Sequence, residues 1–118
     1  MSRHSRDTTT EARATLYREA LAVMQVRHAA DIQVDDVARE IATSRRQLQR
    51  VFTEIGGTTF REELTRLRMA RAAELLKSPV AIRDIAHRVG YSQPAQFAKA
   101  FRRVYGVTPS AYRNGERA

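Results

Sequence analysis

Cysteine is absent from all 118 residues, which excludes disulfides and thiolate-ligated metals. No stretch approaches the roughly 20 apolar residues of a membrane span. The polar opening MSRHSRDTTT lacks the apolar run of a secretory leader. A cytoplasmic protein with no membrane association is expected. Aromatic residues make up only 7% of the chain, so the core is expected to be mostly aliphatic. No glycine-rich phosphate loop occurs. His4, His28 and His87 show no metal-ligand spacing among themselves or with nearby carboxylates. Neither a metal, a cofactor nor an enzymatic activity is expected.

What the chain has in excess is positive charge: 21 Lys+Arg against 13 Asp+Glu, a net charge of +8 and an isoelectric point near 11.0. In a chain of one-domain length this points to a polyanion such as nucleic acid, with an acidic membrane surface as the weaker option; the helix faces described below narrow the partner to double-stranded DNA. Hydrophobic content of 42% is enough to bury a core.

The sequence repeats itself. DVAREIATSRRQLQRVFTEIGGTT, from Asp36, aligns with DIAHRVGYSQPAQFAKAFRRVYGVT, from Asp84. Val37, Ala38 and Ile41 fall on Ile85, Ala86 and Val89, and Ser44 falls on Ser92. After the serine the second copy carries one extra residue. Leu48, Phe52, Ile55 and Gly57 then fall on Phe97, Phe101, Val104 and Gly106. A fixed offset of this kind marks a duplicated supersecondary unit.

Hydrophobic periodicity assigns the elements. Residues 1–9 have none and read as a disordered tail. Thr10 caps a helix to about His28, with Leu16, Ala20, Val23 and Met24 on one stripe. Val34 to Ala42 forms a short helix with Asp35 and Asp36 in its first turn, where the helix dipole favours anions. Thr43 and Ser44 break the chain, and Ser44 caps a helix from Arg45 to Ile55 that Gly56 and Gly57 end. Phe60 to about Lys77 is a central helix, a rod of about 27 Å, closed at Ser78-Pro79. Ile82 to Val89 follows, with Gly90 as a left-handed cap. A helix then opens at Ser92 or Gln93 with Pro94 in its first turn, and Pro109 to Asn114 forms a last short helix. The fold class is all-α: about seven helices in two helix-turn-helix subdomains (10–57 and 79–115) joined by a linker helix (58–78).

The faces of the second helix in each unit carry the functional reading. Leu48, Val51, Phe52 and Ile55 share one side and form core. Arg46, Gln49 and Arg50 share another, an outward stripe of donors. Arg can pair bidentately with guanine and Gln with adenine, so this stripe can read base edges. Arg45, at the helix start, is assigned to phosphate. In the second unit Phe97, Phe101 and Val104 form the inner stripe. Gln96, Lys99 and Arg103 face outward, with Ala95 and Arg102 beside them. This helix offers fewer base-reading groups and is expected to contribute affinity more than specificity. Arg61, Arg66, Arg68 and Arg71 on the central helix read as a solvated or phosphate-facing side.

The run AAELLKSPVAIRDIAHRVGYSQPAQFAKAFRRVYGVTPSAYR, from Ala72 to Arg113, resembles the signature of the AraC/XylS family of bacterial transcription regulators. SRRQLQRVF resembles that family's first recognition helix. The resemblance covers about residues 10–115. It implies two helix-turn-helix units held by a central helix, acting usually as a transcription activator, with RNA polymerase as a partner. It places base-reading positions on Arg46, Gln49 and Arg50, and on Ala95, Gln96 and Lys99. Arg45, Arg102 and Arg103 remain the phosphate set. Glu63 stands where the family often carries an aromatic residue.

Two recognition helices in one chain let a monomer cover an asymmetric site. The initial Met1 and the polar lead-in favour a small stand-alone regulator over the DNA-binding domain of a larger ligand-responsive one. A sequence-neutral architectural DNA binder would share the charge but would not require Arg and Gln on two duplicated recognition helices.

Overall fold

The computed structural model describes residues 2–116, with side chains from Thr10 onward. Its elements are α1 (Ser2–Arg27), α2 (Val34–Glu40), α3 (Arg45–Val51, prolonged by a π-helical turn Phe52–Gly56), α4 (Phe60–Leu75), α5 (Ile82–Arg88), α6 (Pro94–Tyr105) and α7 (Pro109–Arg113). Among the described residues there is no strand, and no helix is long and apolar enough to cross a membrane. The tail expected over residues 1–9 falls outside the described side chains. Because α1 begins at Ser2, Thr10 lies within the helix and does not cap it.

The chain forms two compact units whose boundary falls inside α4. The first comprises residues 1–27 and 32–63, the second residues 28–31 and 64–118.

In the first unit Ala20 and Met24 of α1, Ile32, Val37 and Ala38 of α2, and Leu48, Val51 and Phe52 are buried. Phe52 is the central ring, meeting Tyr17 edge-on at 5.3 Å and Phe60 at 5.8 Å. Removing such a ring from a packed core costs about 3–5 kcal/mol, a large part of the stability of a small domain. Ile55, assigned to the core stripe from its spacing, is instead 41% exposed. The cause is the π turn. An α-helix advances ~100° per residue, but a turn closed by longer-range hydrogen bonds holds more residues, so Ile55 lags behind the stripe. The turn ends at Gly57, whose φ of 64° is left-handed, and Gly57 and Thr58 donate back to Thr53 and Phe52 carbonyls. Gly56 has a separate requirement: a Cβ there would stand 2.5 Å from the Tyr17 hydroxyl.

The second unit is built around Met69, Ala72, Ala73, Leu76, Ile85, Ala86, Val89, Phe97 and Phe101. Phe101 stacks on Tyr105 at 4.7 Å, meets Tyr112 at 5.3 Å and lies 6.0 Å from Phe97. Val104, also expected inside, is 42% exposed. The inner stripe runs Phe97, Phe101, Tyr105, because α7 brings Tyr112 against that side. Burial, reinforced by Tyr112 and Glu74, raises the Tyr105 hydroxyl above its ordinary pKa and keeps it neutral. With all eight aromatic residues engaged in ring contacts, the two cores are less purely aliphatic than composition suggests.

Two arginines hold backbone in the second unit. Arg68 donates to the His28 and Ala30 carbonyls at 2.6 and 2.9 Å, and its guanidinium lies 5.6 Å from the Tyr91 ring centre. It therefore does not belong to a solvated or phosphate-facing side. Arg113 donates to the carbonyls of Leu76, Ser78 and Val80 at 2.6–3.0 Å. These acceptors lie in the segment between α4 and α5. α4 itself stops at Leu75, two residues before Lys77, where Lys77 and Ser78 donate three residues back and the Ser78 hydroxyl donates to the Leu75 carbonyl.

The duplicated turns match bond for bond. Thr43 donates to Ala38 O at 2.8 Å, and Tyr91 donates to Ala86 O at 2.9 Å. Ile41 donates to Val37 O at 3.1 Å, and Val89 to Ile85 O at 3.0 Å. Both turns need a left-handed residue. The second uses Gly90 (φ 96°), whereas the first uses Ala42 (φ 59°). This conformation costs a non-glycine residue roughly 1–2 kcal/mol.

Ala42→Gly is therefore expected to stabilise the first unit by about 0.5–1 kcal/mol, the relief of strain less the entropy gained by the unfolded chain. Urea denaturation followed by circular dichroism checks it, and an unchanged or lower midpoint would show that the turn is not strained. Arg113→Ala is expected to cost about 1–3 kcal/mol in the same assay, because it strands partly buried acceptors. Arg113→Lys should fail to restore the loss, since an ammonium cannot reproduce the planar fork.

Candidate nucleic-acid interface

Each unit presents its second helix outward for the same local reason. In α3 the Ser44 hydroxyl accepts from the Gln47 amide at 3.1 Å and fixes the helix start. Leu48, Val51 and Phe52 are then turned inward with no exposure, which leaves the opposite face in solvent. Arg46, Gln49 and Arg50 all lie there and are exposed. In α6 Pro94 occupies the first turn, where its missing amide costs nothing. Phe97 and Phe101 are buried, and Ala95, Gln96, Lys99, Arg102 and Arg103 are exposed. Arg102 and Arg103 sit in the last turn of α6, where the helix dipole favours cations.

The sequence-derived set is thus exposed residue by residue, but its members differ in what already holds them. Arg45 is engaged: its Nε and Nη2 donate to the two Asp35 carboxylate oxygens, each at 2.8 Å. Arg50 lies 3.9 Å from Glu54, whose other oxygen is paired with Arg13 of α1. Among the described residues, Arg46 and Gln49 have no hydrogen-bond or ion-pair partner for their side chains, and neither do Gln96, Lys99, Arg102 and Arg103. α6 contains no acidic residue at all.

One side chain outside the expected set belongs with it by position. Gln47 is exposed on α3 and is the counterpart of Gln96 once the extra residue of the second copy is counted. The repeat alignment itself carries that signal. The carboxylate partners Asp35 and Glu54 were not legible as partners, because Asp35 meets Arg45 ten residues away across a turn and Glu54 draws on α1.

A helix-turn-helix domain family matches residues 37–115 of the chain. "Probable transcription factor PqrA" of Proteus vulgaris is 31% identical over 90 residues, covering 75% of this chain and 74% of that protein. A transcriptional regulator of Chromobacterium violaceum described as carrying an AraC-type DNA-binding domain superposes with a TM-score of 0.82 at 29% identity, over 86% of this chain and 91% of that one. The DNA-binding domain of AdpA, solved in complex with a target DNA, gives a TM-score of 0.78 at 28% identity, over 84% and 90%. The chain spans about a third of the length of several other curated relatives that it matches.

Arg46→Ala and Gln49→Ala are each expected to lose ~1–3 kcal/mol of discrimination at particular base pairs. Titrating each variant against a preferred duplex and its single-base variants checks this. Equal weakening on preferred and random DNA would reassign these side chains to phosphate.

Proposed function

We propose, from the premise that this chain belongs to the AraC/XylS family of helix-turn-helix transcription regulators, that it binds an asymmetric DNA site as a monomer and activates transcription there. The observation that carries this reading is the inequality of two duplicated outward faces. α3 presents Arg46, Gln49 and Arg50, whereas α6 presents Ala95, Gln96 and Lys99 with Arg102 and Arg103 near its end. Two different readers in one chain suit a site whose halves differ. A symmetric dimer would require the same reader twice.

In this reading α3 supplies most of the base discrimination through guanidinium and amide donors. α6 supplies mainly phosphate attraction, with Gln96 and Lys99 at the base edges. Activation requires a surface that meets RNA polymerase, and the proposal includes that contact. The relatives' names carry the same sense: RhaS of Escherichia coli, 34% identical over 96 residues, is called a transcriptional activator.

The test is enrichment of random duplex DNA on the purified chain, followed by titration of the winning and a scrambled duplex at two salt concentrations. A bipartite, non-palindromic motif bound at least ~10³-fold more tightly than the scramble, with one chain per duplex, is the expected result. Equal binding to both duplexes that falls steeply with salt would favour a sequence-neutral architectural protein instead.

A further inference from the structure

We infer that Asp35 is a positioning residue for DNA binding: it presets the Arg45 guanidinium so that the free edge of that group meets a DNA phosphate. This rests on the DNA-binding reading above and adds to it a residue of the opposite charge.

A guanidinium has five N–H donors in two forks. In this structure the Nε–Nη2 fork is closed on Asp35, with both contacts at 2.8 Å. The second fork, along Nη1 and the remaining Nη2 hydrogen, is left open. The two side chains retain 58% and 50% of their exposure, so that edge is reachable from solvent. Asp35 stands on fixed backbone. It lies in the first turn of α2, whose start is closed by the Gln33 amide donating to Asp36 at 2.7 Å. Arg45 is in turn the first residue of α3, immediately after the Ser44 cap. An arginine so held has less side-chain freedom left to lose on binding.

The second copy has no such device. The positions equivalent to Asp35 and Arg45 are Arg83 and Pro94. The pair therefore distinguishes the first recognition helix from the second, and it belongs to the helix that carries the larger set of base-reading donors.

Simple electrostatics makes the opposite prediction, which is what allows a test. Removing a negative charge near a polyanion should strengthen binding. Positioning requires Asp35→Asn to weaken it, by roughly three- to fivefold, equally on the preferred and the scrambled duplex. The experiment is fluorescence anisotropy with the full chain, comparing wild type, Asp35→Asn, Arg45→Ala and the double variant. Arg45→Ala should lower the salt dependence by about one phosphate contact. In that background Asp35→Asn should cause no further loss.

Unchanged or tighter binding by Asp35→Asn would overturn the inference and make the carboxylate a competitor. A loss that persists in the Arg45→Ala background would overturn it in favour of a structural role between α2 and α3. A loss confined to the preferred duplex would overturn the phosphate assignment. Wild-type protein that binds neither duplex would overturn the DNA reading itself, a result distinct from all of these.

Discussion

A phenylalanine ring without solvent exposure occupies the same place in both copies of the repeat, Phe52 in one and Phe101 in the other, and each unit is assembled around it. The need for it follows from helix length. α2 and α5 are seven residues each and α3 with its π turn is twelve, none of them longer than the roughly 12–15 residues at which an isolated helix is marginal in water. They persist only because their inner residues are buried together: Val37 and Ala38 with Leu48, Val51 and Phe52 in one unit, and Ile85 and Ala86 with Phe97 and Phe101 in the other. The outward faces that carry the donor side chains are rigid because the inward faces are packed.

Most of this architecture was readable beforehand, since it rests on signals that survive in one dimension. The repeat located both helix-turn-helix units, and the 3.6-residue period separated Leu48, Val51 and Phe52 from Arg46, Gln49 and Arg50. Ser44, Gly57 and Gly90 marked the ends and turns. What failed did so at helix ends, where the period is no longer 3.6 or where a distant element decides. Ile55 turned outward through a π turn that no local pattern announces. Val104 yielded its inward place to Tyr105 because α7 packs Tyr112 on that side. Arg68 resembled its neighbours Arg66 and Arg71 in sequence, yet its acceptors are carbonyls about forty residues earlier.

The candidate interface was legible as a set of exposed residues but not as an electrostatic arrangement. Spacing places cations on a face, but it does not say which are already paired. Asp35 read as a residue favoured by the helix dipole, and in the structure it also closes on Arg45. Glu54 bridges toward both Arg13 and Arg50. The first recognition helix therefore carries its charge in partly compensated form, whereas every cation of α6 lies on a helix with no carboxylate. The +8 net charge of the chain is unevenly available for that reason.

Arg45–Gly56 and Pro94–Tyr105 are both twelve residues long, and their last positions correspond, which places Gly56 opposite Tyr105. In the second unit Tyr105 covers the central phenylalanine from the same helix. In the first, where position 56 carries no side chain, the covering ring is Tyr17 from α1, whose hydroxyl would stand 2.5 Å from a Cβ at that position. The second unit thus carries its lid on the recognition helix itself, and the first takes one from α1 above a position without a side chain. The two halves are consequently not exchangeable parts. A graft of the first recognition helix onto a foreign scaffold would arrive with an uncovered phenylalanine, whereas the second brings its covering ring along.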